Sequence, residues 1–107
     1  MSKFGMYGKV MAQPGKRGAL VEVLLEAAEM LGDMPECELY IVNVVPDEPD
    51  AIWVTELWAS EQAHARSLQR EDVRALIQRG MPLIAGMAEQ MTLTPVGGKG
   101  VDLDLQR

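Results

Sequence analysis

Cysteine, histidine and aromatic side chains are nearly missing from this chain, and its basic residues are outnumbered by acidic ones. The 107 residues include one Cys, one His, two Trp, two Tyr and one Phe. A lone cysteine, Cys37, allows no internal disulfide and fits a reducing compartment. One Cys and one His, with no CxxC or HxxxH spacing, argue against a tightly bound structural zinc, and no metal site is expected. Neither a P-loop nor a G-x-G-x-x-G run follows a strand, so nucleotide binding has no support. A G-x-S-x-G elbow is also lacking. The net charge is −6 with no basic run, which argues against binding along a nucleic-acid backbone or on an anionic membrane. No stretch approaches the roughly 20 apolar residues of a membrane span. The opening residues, Met1-Ser-Lys-Phe-Gly5, lack the apolar stretch of a signal peptide. The expectation is a cytoplasmic protein whose partner is a small molecule or another protein.

Apolar residues make up 48% of the chain, which at this length suits one core and one domain, 1–107. Eight methionines read as flexible gap-filling in that core. Residues 4–13 read as a strand broken by Pro14-Gly15. A helix follows, with Leu20, Leu24, Ala27, Ala28 and Leu31 on one face and Glu22, Glu26, Glu29 and Asp33 on the other. Gly32 and Pro35 end it. Residues 37–45 form a β-branched strand, 47–50 a polar turn and 52–58 a second strong strand, together a hairpin. Ser60 caps a helix from Glu61. Another helical stretch follows Glu71, with Val73, Leu76 and Ile77 on one side and Gly80 and Pro82 at its end. Residues 91–96 read as the last core strand, with Pro95 suited to a sheet edge. The tail 97–107 holds a flexible Gly-Gly-Lys-Gly connector and an alternating stretch, 101–105, that reads as one more short strand.

The order β-α-β-β-α-α-β is that of a ferredoxin-like split βαβ fold in the α+β class, an antiparallel sheet with helices on one face. In such a fold the uncovered face turns polar. The strand at 37–45 does not: Cys37, Leu39, Ile41, Asn43 and Val45 fall on one side, Tyr40, Val42 and Val44 on the other. In the strand at 52–58, Ile52, Val54 and Trp58 oppose Trp53 and Leu57. So much apolar sheet calls for a cover, and a second copy of the same sheet supplies one. A homodimer is expected.

Chemistry concentrates in the segment from Thr55 to Leu68. Glu56 shares its strand face with Ile52, Val54 and Trp58, and desolvation favours a carboxyl group's neutral form, which makes Glu56 a candidate base. His64 lies one turn into the helix that follows. Glu56, Trp58 and His64 would meet at the mouth of one crevice between helix and sheet. Each has a structural alternative: a hydrogen-bonded Glu, a core Trp, a partly buried His. Asn43 interrupts an apolar face and needs partners or a ligand, although Tyr40 points to the opposite face. Arg66, Arg70 and Arg74 repeat every four residues, as on a solvated helix face.

These features together resemble the antibiotic biosynthesis monooxygenase family: strand, Pro14-Gly15-Lys16-Arg17, long helix, hairpin closing on Thr55-Glu56-Leu57-Trp58, helix opening Ser60-Glu61-Gln62-Ala63. The similarity spans roughly 4–96. It implies a dimeric α+β barrel and oxidation of a phenolic or quinol-type aromatic by O₂ without metal or flavin. It places the matching Trp58, and six residues later His64, on the pocket wall. Many members carry a His nine residues after that Trp, where this chain has Ser67. The family's haem-degrading branch uses a first-strand Asn and a late His. This chain has Gly8 near the first position and no His between 65 and 107, so the haem reading is unsupported. The resulting expectation assigns proton transfer to His64 with Glu56, stacking to Trp58 and substrate orientation to Asn43, with no cofactor. A non-catalytic ligand-binding protein on the same fold is the alternative.

Overall fold

Gly15 takes a positive φ of 77°, a conformation that costs glycine nothing, and so turns the chain out of its first strand. The computed structural model describes residues 2–101. Strand β1 (Phe4–Ala12) leads to helix α1 (Arg17–Met30). The hairpin β2 (Cys37–Val45) and β3 (Glu48–Trp58) follows, then α2 (Glu61–Ser67), α3 (Glu71–Gly80) and β4 (Ile84–Leu93). The four strands form one antiparallel sheet in the order β2-β3-β1-β4. This is the ferredoxin-like α+β topology expected from the element order.

Four local expectations need correction. Gly32 is not where α1 stops: the α-helix ends at Met30 and tightens into a 3₁₀ turn, Leu31–Asp33, that contains Gly32. Strand β3 starts at Glu48, because Arg17 Nη1 donates to the carbonyls of Glu48 (2.8 Å) and Val45 (3.3 Å) and closes a short turn. Strand β4 begins at Ile84 and ends at Leu93, two residues before Pro95. Its first seven residues, Ile-Ala-Gly-Met-Ala-Glu-Gln, have weak β propensity, and pairing with Gly8 to Ala12 of β1 makes them a strand. Finally, the break between residues 67 and 71 separates Arg66, on α2, from Arg70 and Arg74, at the N-cap and in the body of α3. Arg66 bonds Glu36 at 3.2 Å, whereas Arg70, at the start of α3, grips Asp33 at 2.6 Å and Asp72 at 2.7 Å. Val101 carries no strand, and the rest of the stretch 101–105 lies outside the described residues.

The core lies between helices and sheet in two neighbouring clusters. Leu20 of α1 packs on Val10, Ala12, Ile52 and Val54; Trp58, fully buried, packs with Leu31, Ala63 and Val73. Tyr40 touches both. Across the opposite sheet face run rows of paired residues: Leu93–Gly5–Leu57–Leu39 and Met91–Tyr7–Thr55–Ile41. Leu39 and Ile41 there are 40% and 43% exposed, and Met91 55%. Both sheet faces are apolar, as the strand pattern indicates.

Candidate active site

A β-bulge decides which side chains of β2 reach the helices. The register slips between Cys37, opposite Trp58, and Leu39, opposite Leu57. Cys37 therefore joins Tyr40 on the helix-covered face, not Leu39 and Ile41 as simple alternation gives. Tyr40 pairs directly with Glu56. Two residues along β3, on the same face, stands Trp58.

Helix α2 brings His64 to this group. The Ser60 hydroxyl accepts from the backbone N–H of Ala63 at 3.1 Å, satisfying one of the unpaired donors at the helix start. One turn on, the His64 ring lies between Phe4 and Trp58, each with its ring centre 5.3 Å away. The Trp58 indole N–H donates to Glu56 Oε1 at 2.9 Å. The same oxygen is 3.9 Å from His64 Nε2, close enough to pair when the imidazole is protonated. Glu56, Trp58 and His64 thus come together around one carboxylate oxygen.

They open onto a cavity of about 160 Å³ between the sheet and the helices. Leu20, Leu24 and Leu31 contribute its wall from the α1 side, and Val73, Leu76 and Ile77 from α3. The polar lining is Tyr40, Glu56, His64 and Ser67, with no lysine or arginine. The Ser67 hydroxyl donates to the His64 carbonyl at 2.6 Å, which spends it on the helix. Burial, and next the Glu56 carboxylate, push the Tyr40 hydroxyl well above its ordinary range, so it stays protonated. The same causes, in the same order, push the Cys37 thiol up to about 11. Such a pocket can shield an aromatic from water, accept a proton and donate a hydrogen bond.

Asn43 is not brought to this cavity. It lies on the open sheet face opposite Trp53, where its amide donates to the Trp53 carbonyl at 3.0 Å and to Thr55 Oγ1 at 3.3 Å. The cross-strand neighbours satisfy it. Tyr40, by contrast, is a site residue that sequence reasoning passed over. Alternation already put it opposite Asn43; pairing the hairpin register would have set it against Glu56. Among the described residues, no three His, Cys, Asp or Glu side chains gather as a metal-binding group, and no helix is long and apolar enough to cross a membrane.

Comparison with known proteins bears on the same architecture. No curated protein matches the chain in sequence. A solved structure from Chloroflexus aurantiacus J-10-fl, provisionally assigned as an antibiotic biosynthesis monooxygenase, is 44% identical over 94% of this chain and all of its own, with a TM-score of 0.86. A Caulobacter crescentus CB15 structure with the same provisional assignment is 24% identical over 90% of this chain and 92% of its own, at 0.83. The cofactor-independent oxygenase SnoaB of Streptomyces nogalater shares the fold, with a TM-score of 0.79 over 94% of this chain and all of its own, at 12% identity. The family model for antibiotic biosynthesis monooxygenases matches residues 4–79, and the chain belongs to that family.

Proposed function

We propose that the protein is a cofactor-independent monooxygenase of a phenolic or quinol-type aromatic, acting as a homodimer. The observation that carries this reading is the convergence of Glu56, Trp58 and His64 on a largely apolar cavity of about 160 Å³. A core filled at that point would have favoured a non-catalytic binding protein; the cavity supports the enzyme.

In this chemistry the substrate supplies the electrons. His64, supported by Glu56, takes the proton of a ring hydroxyl, and the phenolate passes one electron to O₂. The phenoxyl–superoxide pair combines at a ring carbon as a hydroperoxide. Its O–O bond then breaks: one oxygen stays as a carbonyl, and the other leaves as water with the ring-carbon proton and the proton returned by His64. A 1,4-hydroquinone with one O₂ thus gives a hydroxyquinone and one water, four electrons passing from substrate to oxygen. The buried Trp58 side chain sets the shape of the pocket, and the apolar wall keeps water from the intermediate.

Homodimer formation is supported by the open sheet face, where Leu39, Ile41, Tyr7, Met91 and Leu93 are each 38% to 55% exposed in one chain. A contiguous apolar surface of that kind is covered in most soluble proteins. The functional test is O₂ uptake over a panel of catechols, hydroquinones and anthrones, with ¹⁸O₂ and mass spectrometry of the product. Uptake with one labelled atom in the product is expected for at least one member. No turnover of any member by a folded dimer would refute the oxygenase reading.

A further inference from the structure

Two properties of the cavity limit what it can hold. The first is size. An aliphatic cavity of about 150 Å³ takes one benzene molecule, and the cavity here measures about 160 Å³. Three fused rings exceed that volume and would have to extend out of the cavity mouth or part the helices. The roof has little slack at Gly80, where even an added Cβ would meet Val23 of α1 at 3.3 Å.

The second property is charge. The Glu56 carboxylate lines the cavity, and neither lysine nor arginine does. A ligand carrying its own carboxylate or phosphate would bring a second negative charge into a poorly solvated space with no cation to offset it.

The polar groups differ in how far they are engaged. Glu56 Oε1 accepts from Trp58, and the Ser67 hydroxyl is bonded to its own helix. No side-chain hydrogen bond among the described residues engages the Tyr40 hydroxyl, although Tyr40 lines the cavity beside Glu56, its partner on the neighbouring strand. We infer that the cavity selects an uncharged aromatic of one ring bearing a hydroxyl, and that the Tyr40 hydroxyl anchors the oxygen of that ring. This rests on the oxygenase reading for the identity of the ligand, not for its size or charge. Burial keeps Tyr40 a donor at any physiological pH. Its hydrogen bond strengthens as the ring oxygen becomes an oxyanion, while Glu56 and His64 receive the proton.

Calorimetric titration under anaerobic conditions, where no oxygenase substrate can turn over, tests the inference separately from catalysis. Phenol should bind at least tenfold more tightly than 9-phenanthrol, which has three rings, and than 4-hydroxybenzoate, which adds a carboxylate. Tyr40→Phe should weaken phenol about five- to tenfold, the loss of one hydrogen bond, and leave toluene unchanged. Toluene binding also reports that the variant is folded. The inference is overturned if phenol does not bind, if 9-phenanthrol or 4-hydroxybenzoate binds as well as phenol, or if Tyr40→Phe leaves the phenol-to-toluene ratio as it was. Rapid O₂ uptake with a three-ring substrate would remove the size limit and spare the oxygenase reading. The expected binding order with no uptake of any quinol would do the reverse.

Discussion

His64 is gripped by two aromatic rings and faces a carboxylate, so its removal should damage chemistry more than folding. On a true substrate, His64→Ala is expected to lower kcat/KM by about 10² to 10⁴, the usual contribution of an acid–base group. Trp58→Phe keeps an aromatic face but loses the N–H bonded to Glu56 and part of the buried ring, and since it removes no acid–base group its effect should be smaller; equal activity of His64→Ala and the parent would return His64 to a packing role. The rate should rise with pH as the working base loses its proton, and a profile that survives Glu56→Gln belongs to His64. A second pH effect concerns stability. Burial and then the Glu56 charge raise the Cys37 thiol from an ordinary 9.0 to about 11, and they raise Tyr40 from its ordinary 10.0. Both neutral forms are favoured by folding. The Cys37 contribution is therefore whole below pH 9 and is lost as pH climbs through 11, while that of Tyr40 is whole below pH 10 and is lost only at higher pH still. Urea midpoints measured from pH 8 to 11 should fall, and Cys37→Ala should flatten the fall. The residues carrying this chemistry were legible unequally. Glu56 and Trp58, two apart on a strand, and His64, one turn into a capped helix, follow from local spacing. Asn43 signals a polar need that only the partner strand, through Trp53 and Thr55, reveals as met. Tyr40 depends on the register between two strands, which no single stretch encodes.

Helix α2 is short, and one side-chain bond holds its start. Ser60→Ala removes the acceptor for the Ala63 N–H and should cost about 1 kcal/mol, a fall in Tm of about 4–8 °C at this chain length. A variant melting with the parent would mean that α2 is held by Ala63 and Ser67 packing alone. At this scale the sequence was most readable where periodicity and end signals agree, as in β2, in α2 behind Ser60 and in α3 after Glu71. It was least readable in β4, whose first seven residues, Ile-Ala-Gly-Met-Ala-Glu-Gln, become a strand only beside β1. The slip at Glu38 was likewise invisible, because one extra residue in a strand leaves the composition unchanged while it moves Cys37 to the other face.

The assembled molecule has one sheet face under helices and one in the open. Light scattering at micromolar concentration should give about 24 kDa, twice the 11.8 kDa chain. Ile41→Asp, which puts a charge in the middle of the open face, should shift the mass towards one chain, whereas a parent already at monomer mass would end the dimer proposal. The strand order has a separate consequence for handling the protein. It leaves β2 on the rim of the sheet, and residues 39–45 of that strand, Leu-Tyr-Ile-Val-Asn-Val-Val, contain no charge, glycine or proline. Such a rim is a template for another chain's backbone, and the same heptad read alone has the make-up of a fibril-forming segment. Mild denaturant should therefore seed thioflavin-positive fibrils before it yields dispersed unfolded chain. A lysine at Val44, half exposed on that rim, should lengthen the lag; unchanged kinetics would place the nucleus elsewhere. What limits the shelf life of this protein is then the time its outermost strand spends uncovered, a quantity set by concentration as much as by fold.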